Sequence, residues 1–124
     1  MSINPDSGTP IYLQIADWIE DGILTGHFEE DEKVYSQYQL AEQYRINPAT
    51  AAKGLSVLAE QGILYKKRGL GMFVSPNARK IIFSRRRNGV LQEKIRDAVT
   101  EARLLGLSKE ELVAMLRDEM EEEK

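Results

Sequence analysis

Residues 40–64 read LAEQYRINPATAAKGLSVLAEQGIL, and the way this stretch divides decides the fold. Just before it, Ser36 and Gln39 have the spacing of a capping box, so a short helix should open there and run to about Tyr44. Arg45-Ile46-Asn47 interrupts it. Asn47 then supplies an N-cap and Pro48 a first-turn proline, restarting a longer helix to about Gln61, where Gly62 stops it. Two helices across a short turn, the second the longer, have the layout of a helix-turn-helix.

Upstream, Thr9-Pro10 reads as a capping hydroxyl followed by proline at the first helical position. Tyr12, Ile15, Ile19 and Ile23 recur at helical spacing opposite Asp17, Glu20 and Asp21, and the helix should end near Gly26. A charged loop, HFEEDEK, leads to a short extended piece at Val34-Tyr35. Downstream, ILYKKRGLGMFVS places two β-type runs around Gly69-Leu70-Gly71, the pattern of a hairpin, which Pro76-Asn77 ends. A further helical region then aligns Leu91, Ile95, Ala98, Ala102 and Leu105 on one stripe, with Gly106 where a helix-ending glycine should stand. Ser108 and Glu111 form another capping box between Leu107 and Leu112, and the last helix carries Leu112, Met115, Leu116 and Met120 before fraying into EMEEEK. The predicted fold is mainly α with a small β-hairpin wing: a winged helix-turn-helix over residues 1–76, then a two-helix segment over 77–124.

Charge is distributed unevenly. The chain has 124 residues and a net charge of −3, but residues 43–92 hold ten Lys and Arg against the single acid Glu60. The segments on either side are net acidic, so a basic middle marks a polyanion-binding face. With no cysteine, disulfides and thiolate metal sites are excluded. The opening MSINPDSGTP lacks the basic and apolar regions of a signal peptide, and no apolar run approaches the roughly 20 residues of a membrane span, so a cytoplasmic chain without membrane contact is expected. His27 is the one histidine, in the acidic loop, which leaves no triad or histidine metal site. No nucleophile has a base beside it. Neither an enzyme nor a cofactor is expected.

The basic hairpin YKKRGLG has three readings: a phosphate-cradling loop, a solvated surface turn, or a contact to a nucleic-acid backbone. A Walker-type loop needs its lysine after the glycines and at the start of a helix. Here Lys66, Lys67 and Arg68 precede the glycines and a strand follows, which removes the first reading.

Residues 10–75 resemble the winged-helix DNA-binding domain of GntR-type bacterial transcription regulators. The likeness is carried by PIYLQIADWI, by LAEQYRINPATAAKGLSVLAEQGIL and by KKRGLGMFV. The short tail, together with Asn-Pro-x-Thr opening the third helix, resembles the YtrA-type subgroup, which lacks a large ligand-binding domain. The chain departs from the family pattern in four places. Tyr35-Ser36-Gln37-Tyr38 replaces Pro-Ser-acidic-Arg, Arg45 stands at the turn glycine, Ala52 then Lys53 stand where an arginine is common, and Met72 replaces a wing threonine.

In a helix-turn-helix the start of the second helix meets base edges, so Asn47, Ala49, Thr50 and Lys53 should face the major groove. Asn47 has a capping reading of equal weight. Ser36 stands at a helix N-terminus suited to a phosphate, or caps alone, and Tyr38 either touches DNA or is simply exposed. Lys67, Arg68 and the side-chain-free Gly69 and Gly71 would approach backbone or minor groove, although alternation sends Lys66 and Lys67 to opposite faces. Arg85-Arg86-Arg87 could add phosphate contacts or pair with an acidic partner face. Leu91, Ile95, Ala98, Leu105, Leu112, Leu116 and Met120 read as a homodimer surface, with packing onto the winged helix as the alternative. The expected function is a dimeric, sequence-specific transcription regulator, a repressor rather than an activator, on a palindromic operator. The subgroup resemblance implies a transporter operon. A small-molecule effector, if one acts, would use a small cavity. A winged-helix protein-interaction module without DNA binding is the rival.

Overall fold

The computed structural model describes residues 3–122 and divides into two compact units, one through Ser84 and one from Arg85. In the first unit, helix α1 spans Ile11–Leu24. Its start differs from expectation: Pro10, not Thr9, holds the cap position (φ −54°, ψ 145°), and no side chain caps it. The Pro10 carbonyl accepts from the amides of Leu13 and Gln14. The approach is fixed instead by the Gln14 side chain, whose amide donates to the carbonyls of Asn4 and Thr9 at 2.8 and 2.9 Å. Ile15, Ile19 and Ile23 are buried as their spacing predicts.

Helix α2, Gln37–Tyr44, opens on the full capping box. The Gln39 amide donates to the Ser36 hydroxyl at 3.1 Å, and the Gln39 side-chain oxygen accepts from the Ser36 amide at 2.8 Å. Arg45 takes the left-handed conformation (φ 54°, ψ 50°) that the turn requires, at a cost of about 1 kcal/mol relative to glycine. Helix α3, Pro48–Glu60, follows at once. It crosses α1 at Gly54, where an added Cβ would sit 2.7 Å from the Tyr12 carbonyl oxygen. Leu40, Ala51, Leu55 and Leu58 complete a core with the α1 isoleucines and with Phe28, Val34, Ile63, Leu64 and Val74. Each large aliphatic buried there stabilises the fold by about 1.5–3 kcal/mol.

Strands β1 (Leu64–Lys67) and β2 (Gly71–Val74) pair antiparallel with Lys66 opposite Met72 and Lys67 opposite Gly71. The extended piece expected at Val34-Tyr35 begins at Lys33, which bridges Phe73, while the Val34 amide donates to the Met72 carbonyl at 3.0 Å. Trp18 stacks on Tyr35 and meets Phe28 edge-on, both at 5.8 Å between ring centres. His27 is exposed, its ring 4.7 Å from Phe28.

Helix α4, Ala78–Arg86, buries Ala78 and Ile82 in the same core. For that reason the division between units falls after Ser84 rather than at the predicted 76/77 boundary. The second unit contains a π-helical turn, Arg87–Leu91, then α5 (Gln92–Leu105) and α6 (Lys109–Glu122). Gly106 ends α5 in the left-handed conformation, and the Leu107 amide donates to the Ala102 carbonyl at 2.9 Å. Ser108 accepts from the Glu111 amide at 3.1 Å, one half of the predicted capping box, while the Glu111 carboxylate accepts from the Ser108 hydroxyl at 3.2 Å rather than completing the box at the backbone. The tail expected to fray from Glu119 is helical through Glu122; Glu123 and Lys124 lie outside the described residues. Among the described residues no helix is long and apolar enough to cross a membrane.

Candidate nucleic-acid interface

The N-terminus of α2, one face of α3 and one face of the wing converge on a shallow groove lined by Ser36, Gln37, Tyr38, Ala52, Leu55, Ser56, Lys66, Gly71 and Met72. Ser36 has used one lone pair on the Gln39 amide, so its hydroxyl proton remains available to a phosphate oxygen. That group stands at the positive end of the α2 dipole, where an anion is favoured. Tyr38 is 69 % exposed beside it.

At the start of α3, the Asn47 side-chain oxygen accepts from the Ala49 amide at 2.8 Å. Asn47 is therefore a cap, and its amide nitrogen is left to reach outward. Ala49 is exposed and Thr50 half-buried on the same opening turn. Lys53 lies with its ammonium 4.2 Å from the centre of the Tyr12 ring, a cation–π contact that steadies it by about 0.5–1 kcal/mol at an exposed site.

The wing separates the two lysines as its alternation requires, but the one that shares the groove with Ser36 and Tyr38 is Lys66. Lys67 is on the opposite face, 4.5 Å from the centre of the Phe73 ring. Parity along a strand was legible; which parity meets α2 depends on how the hairpin docks. Arg68, Gly69 and Leu70 form the tip, with Leu70 61 % exposed and the Leu70 amide donating to the Lys67 carbonyl at 2.9 Å. Gly71 has φ +115°, open to glycine, and a Cβ there would meet the Lys33 stem at 2.9 Å. Lys66, weighed in the sequence but left out of the expected contacts, lines the groove, and Leu70 stands exposed at the tip.

The residues predicted for dimerisation are all in the second unit. Leu91, Ile95, Leu105, Leu116 and Met120 are 44–78 % exposed, Ala98 is exposed and Leu112 half-buried. Val90, Leu104, Val113 and Met115 are exposed apolar neighbours. Helix α6 buries none of its residues. Among the described residues no group of three or more His, Cys, Asp or Glu is placed to hold a metal ion.

A helix-turn-helix backed by a third helix and flanked by a basic hairpin defines a winged helix-turn-helix protein. Residues 11–74 match the family described as bacterial regulatory proteins, gntR family. The chain belongs to the GntR family. It is 28 % identical to the transcriptional repressor YtrA of Bacillus subtilis over 118 residues, covering 95 % of this chain and 90 % of YtrA. This match over nearly the full length of both makes the chain YtrA-like. It is 39 % identical over 75 residues to the repressor NagR of Bacillus subtilis, of which it spans only 31 %. A crystal structure of a GntR-family regulator from Bacteroides thetaiotaomicron superposes with a TM-score of 0.75 at 33 % identity, over 92 % of this chain and 99 % of that one. The DNA-binding domain of AraR in complex with operator ORE1 aligns with a TM-score of 0.52 at 31 % identity, over 54 % of this chain and 82 % of that one. The chain is a DNA-binding transcription regulator and not an enzyme.

Proposed function

We propose that this protein is a repressor that binds a two-fold symmetric operator as a homodimer. The observation that carries the DNA-contact assignment is the shared groove, which brings the Ser36 cap, Tyr38, Lys66 and Gly71 of the wing beside α3. A phosphate run lying in that groove would meet Ser36 and Lys66, while Asn47, Ala49, Thr50 and Lys53 enter the major groove and Arg68, Gly69 and Gly71 reach the adjoining backbone or minor groove. Lys67 joins them only by leaving the Phe73 ring.

Repression is supported by the printed names of YtrA and NagR, both repressors. The dimer is supported by α6, a 14-residue helix that buries none of its residues and keeps Val113, Met115, Leu116 and Met120 exposed. A lone helix of that length is marginal in water, so a covering surface is needed, and a second copy supplies the two-fold symmetry a palindrome matches. The YtrA likeness makes a transporter operon the first place to look for the operator.

The test is fluorescence anisotropy on duplex DNA from the region upstream of the protein's own gene and on a shuffled control, across a salt series. Salt-steep binding that prefers the upstream duplex, with a smaller slope for Arg68→Ala, is expected. Weak binding without salt dependence would leave the winged helix as a protein-interaction module.

A further inference from the structure

We infer that Tyr65 and Asp31 form a brace behind the wing that positions Arg68 on DNA, so that the acidic loop, itself unable to touch a phosphate favourably, sets the wing's contact. This rests on the DNA-binding reading of the wing.

A two-stranded hairpin of four-residue strands is marginal in water without support. The support here comes from residues 31–34. The Asp31 amide donates to the Val74 carbonyl at 2.8 Å, the Val74 amide to the Glu32 carbonyl at 2.9 Å, and the Val34 amide to the Met72 carbonyl at 3.0 Å. These bonds lay the loop along the open edge of β2. The far strand, β1, is reached by one side-chain bond: the Tyr65 hydroxyl donates to the Asp31 carboxylate at 2.7 Å. That bond, with lesser help from burial and the Asp31 charge, raises the Tyr65 pKa.

On the same face Tyr65 stacks on Phe73 at 5.9 Å, and the Lys67 ammonium lies 4.5 Å from the Phe73 ring centre and 5.9 Å from that of Tyr65. The face away from the groove is thus a continuous stack from Asp31 through Tyr65 and Phe73 to Lys67, one residue before Arg68. Asp31 itself has φ +64°, a left-handed conformation uncommon outside glycine. Such strain persists where its surroundings over-determine it, and here the residue is held by its own amide and its carboxylate at once. With the brace closed, the tip that presents Arg68 has one pitch relative to α3. Without it, the tip swings and its phosphate contact is lost.

The experiment measures binding to the upstream duplex by anisotropy across a salt series for wild type, Tyr65→Phe, Arg68→Ala and the double variant. Tyr65→Phe keeps the ring on Phe73 and changes no charge. Its expected effect is an affinity loss of about five-fold, with the salt slope reduced by about one unit, one phosphate contact. In the Arg68→Ala background the same change should cost nothing further, because the brace acts through Arg68. Asp31→Asn, which keeps the acceptor oxygen and removes a negative charge, should bind at least as tightly as wild type. A wild-type salt slope for Tyr65→Phe, with or without a lower melting temperature, overturns the inference alone. So does an equal loss in the presence and absence of Arg68. A wild-type protein without salt-dependent binding removes the DNA reading, and the brace with it.

Discussion

Substituting Gly54 with alanine tests the packing that aims α3. A methyl at this position would lie 2.7 Å from the Tyr12 carbonyl oxygen and 3.2 Å from both Cβ and Cγ2 of Ile15. Ordinary contact begins near 3.4 Å, so α1 and α3 must separate by about 0.7 Å. Neither obstacle can rotate aside, since one is backbone and the other the branch point of a fully buried isoleucine. Overpacking of this kind costs about 1–3 kcal/mol. Alanine recovers about 1 kcal/mol as the better helix former, so the net loss should be about 0–2 kcal/mol, centred on about 1. A loss of about 1 kcal/mol lowers the melting temperature of a domain of this size by about 4–8 °C. Urea unfolding followed by far-UV circular dichroism should show the same loss with an unchanged m-value. Gly89→Ala is the matched control: nothing lies within 4 Å of the added methyl, and the midpoint should not fall. A Gly54→Ala midpoint above wild type would mean that the helices part freely, and that their close crossing does not fix α3.

Three further outcomes can be checked with the same protein. Lys66→Ala should weaken DNA binding and flatten the salt slope by about one unit, whereas Lys67→Ala should leave the slope alone, as measured by anisotropy. Thr50→Ala should narrow the affinity gap between the operator and a shuffled duplex by about 1 kcal/mol, with little change on the shuffled duplex. Leu116→Asp should halve the mass found by light scattering and reduce operator affinity together. Unchanged mass would remove the dimer.

Much of the fold was written locally. The Ser36–Gln39 box, Asn47-Pro48 and the Gly106 stop each depend on residues within one turn, and each forms as its spacing predicts. The α1 start differs because Pro10 itself takes the extended cap conformation, and the approach is held by Gln14 reaching back to Asn4, ten residues away. Which of Lys66 and Lys67 shares the groove was not legible for a related reason: alternation gives two faces, and only docking against α2 and α3 says which is inner. The bond from Tyr65 to Asp31 joins residues 34 apart, beyond any spacing rule. The π-helical turn over RNGVL had no legible signal beyond Gly89. For the interface, the elements were legible and the side-chain commitments only in part. The Asn47 cap could be read in advance, whereas Lys53 against Tyr12 emerges only once the backbone is in place.

Helix α6, which buries none of its residues, has a consequence for how the cell meters this protein. If its cover is a second copy, the operator-competent species grows with the square of the monomer concentration until pairing saturates. Halving synthesis at low abundance would then cut that species to a quarter. Dilution at cell division, with no small molecule involved, would become a signal in its own right.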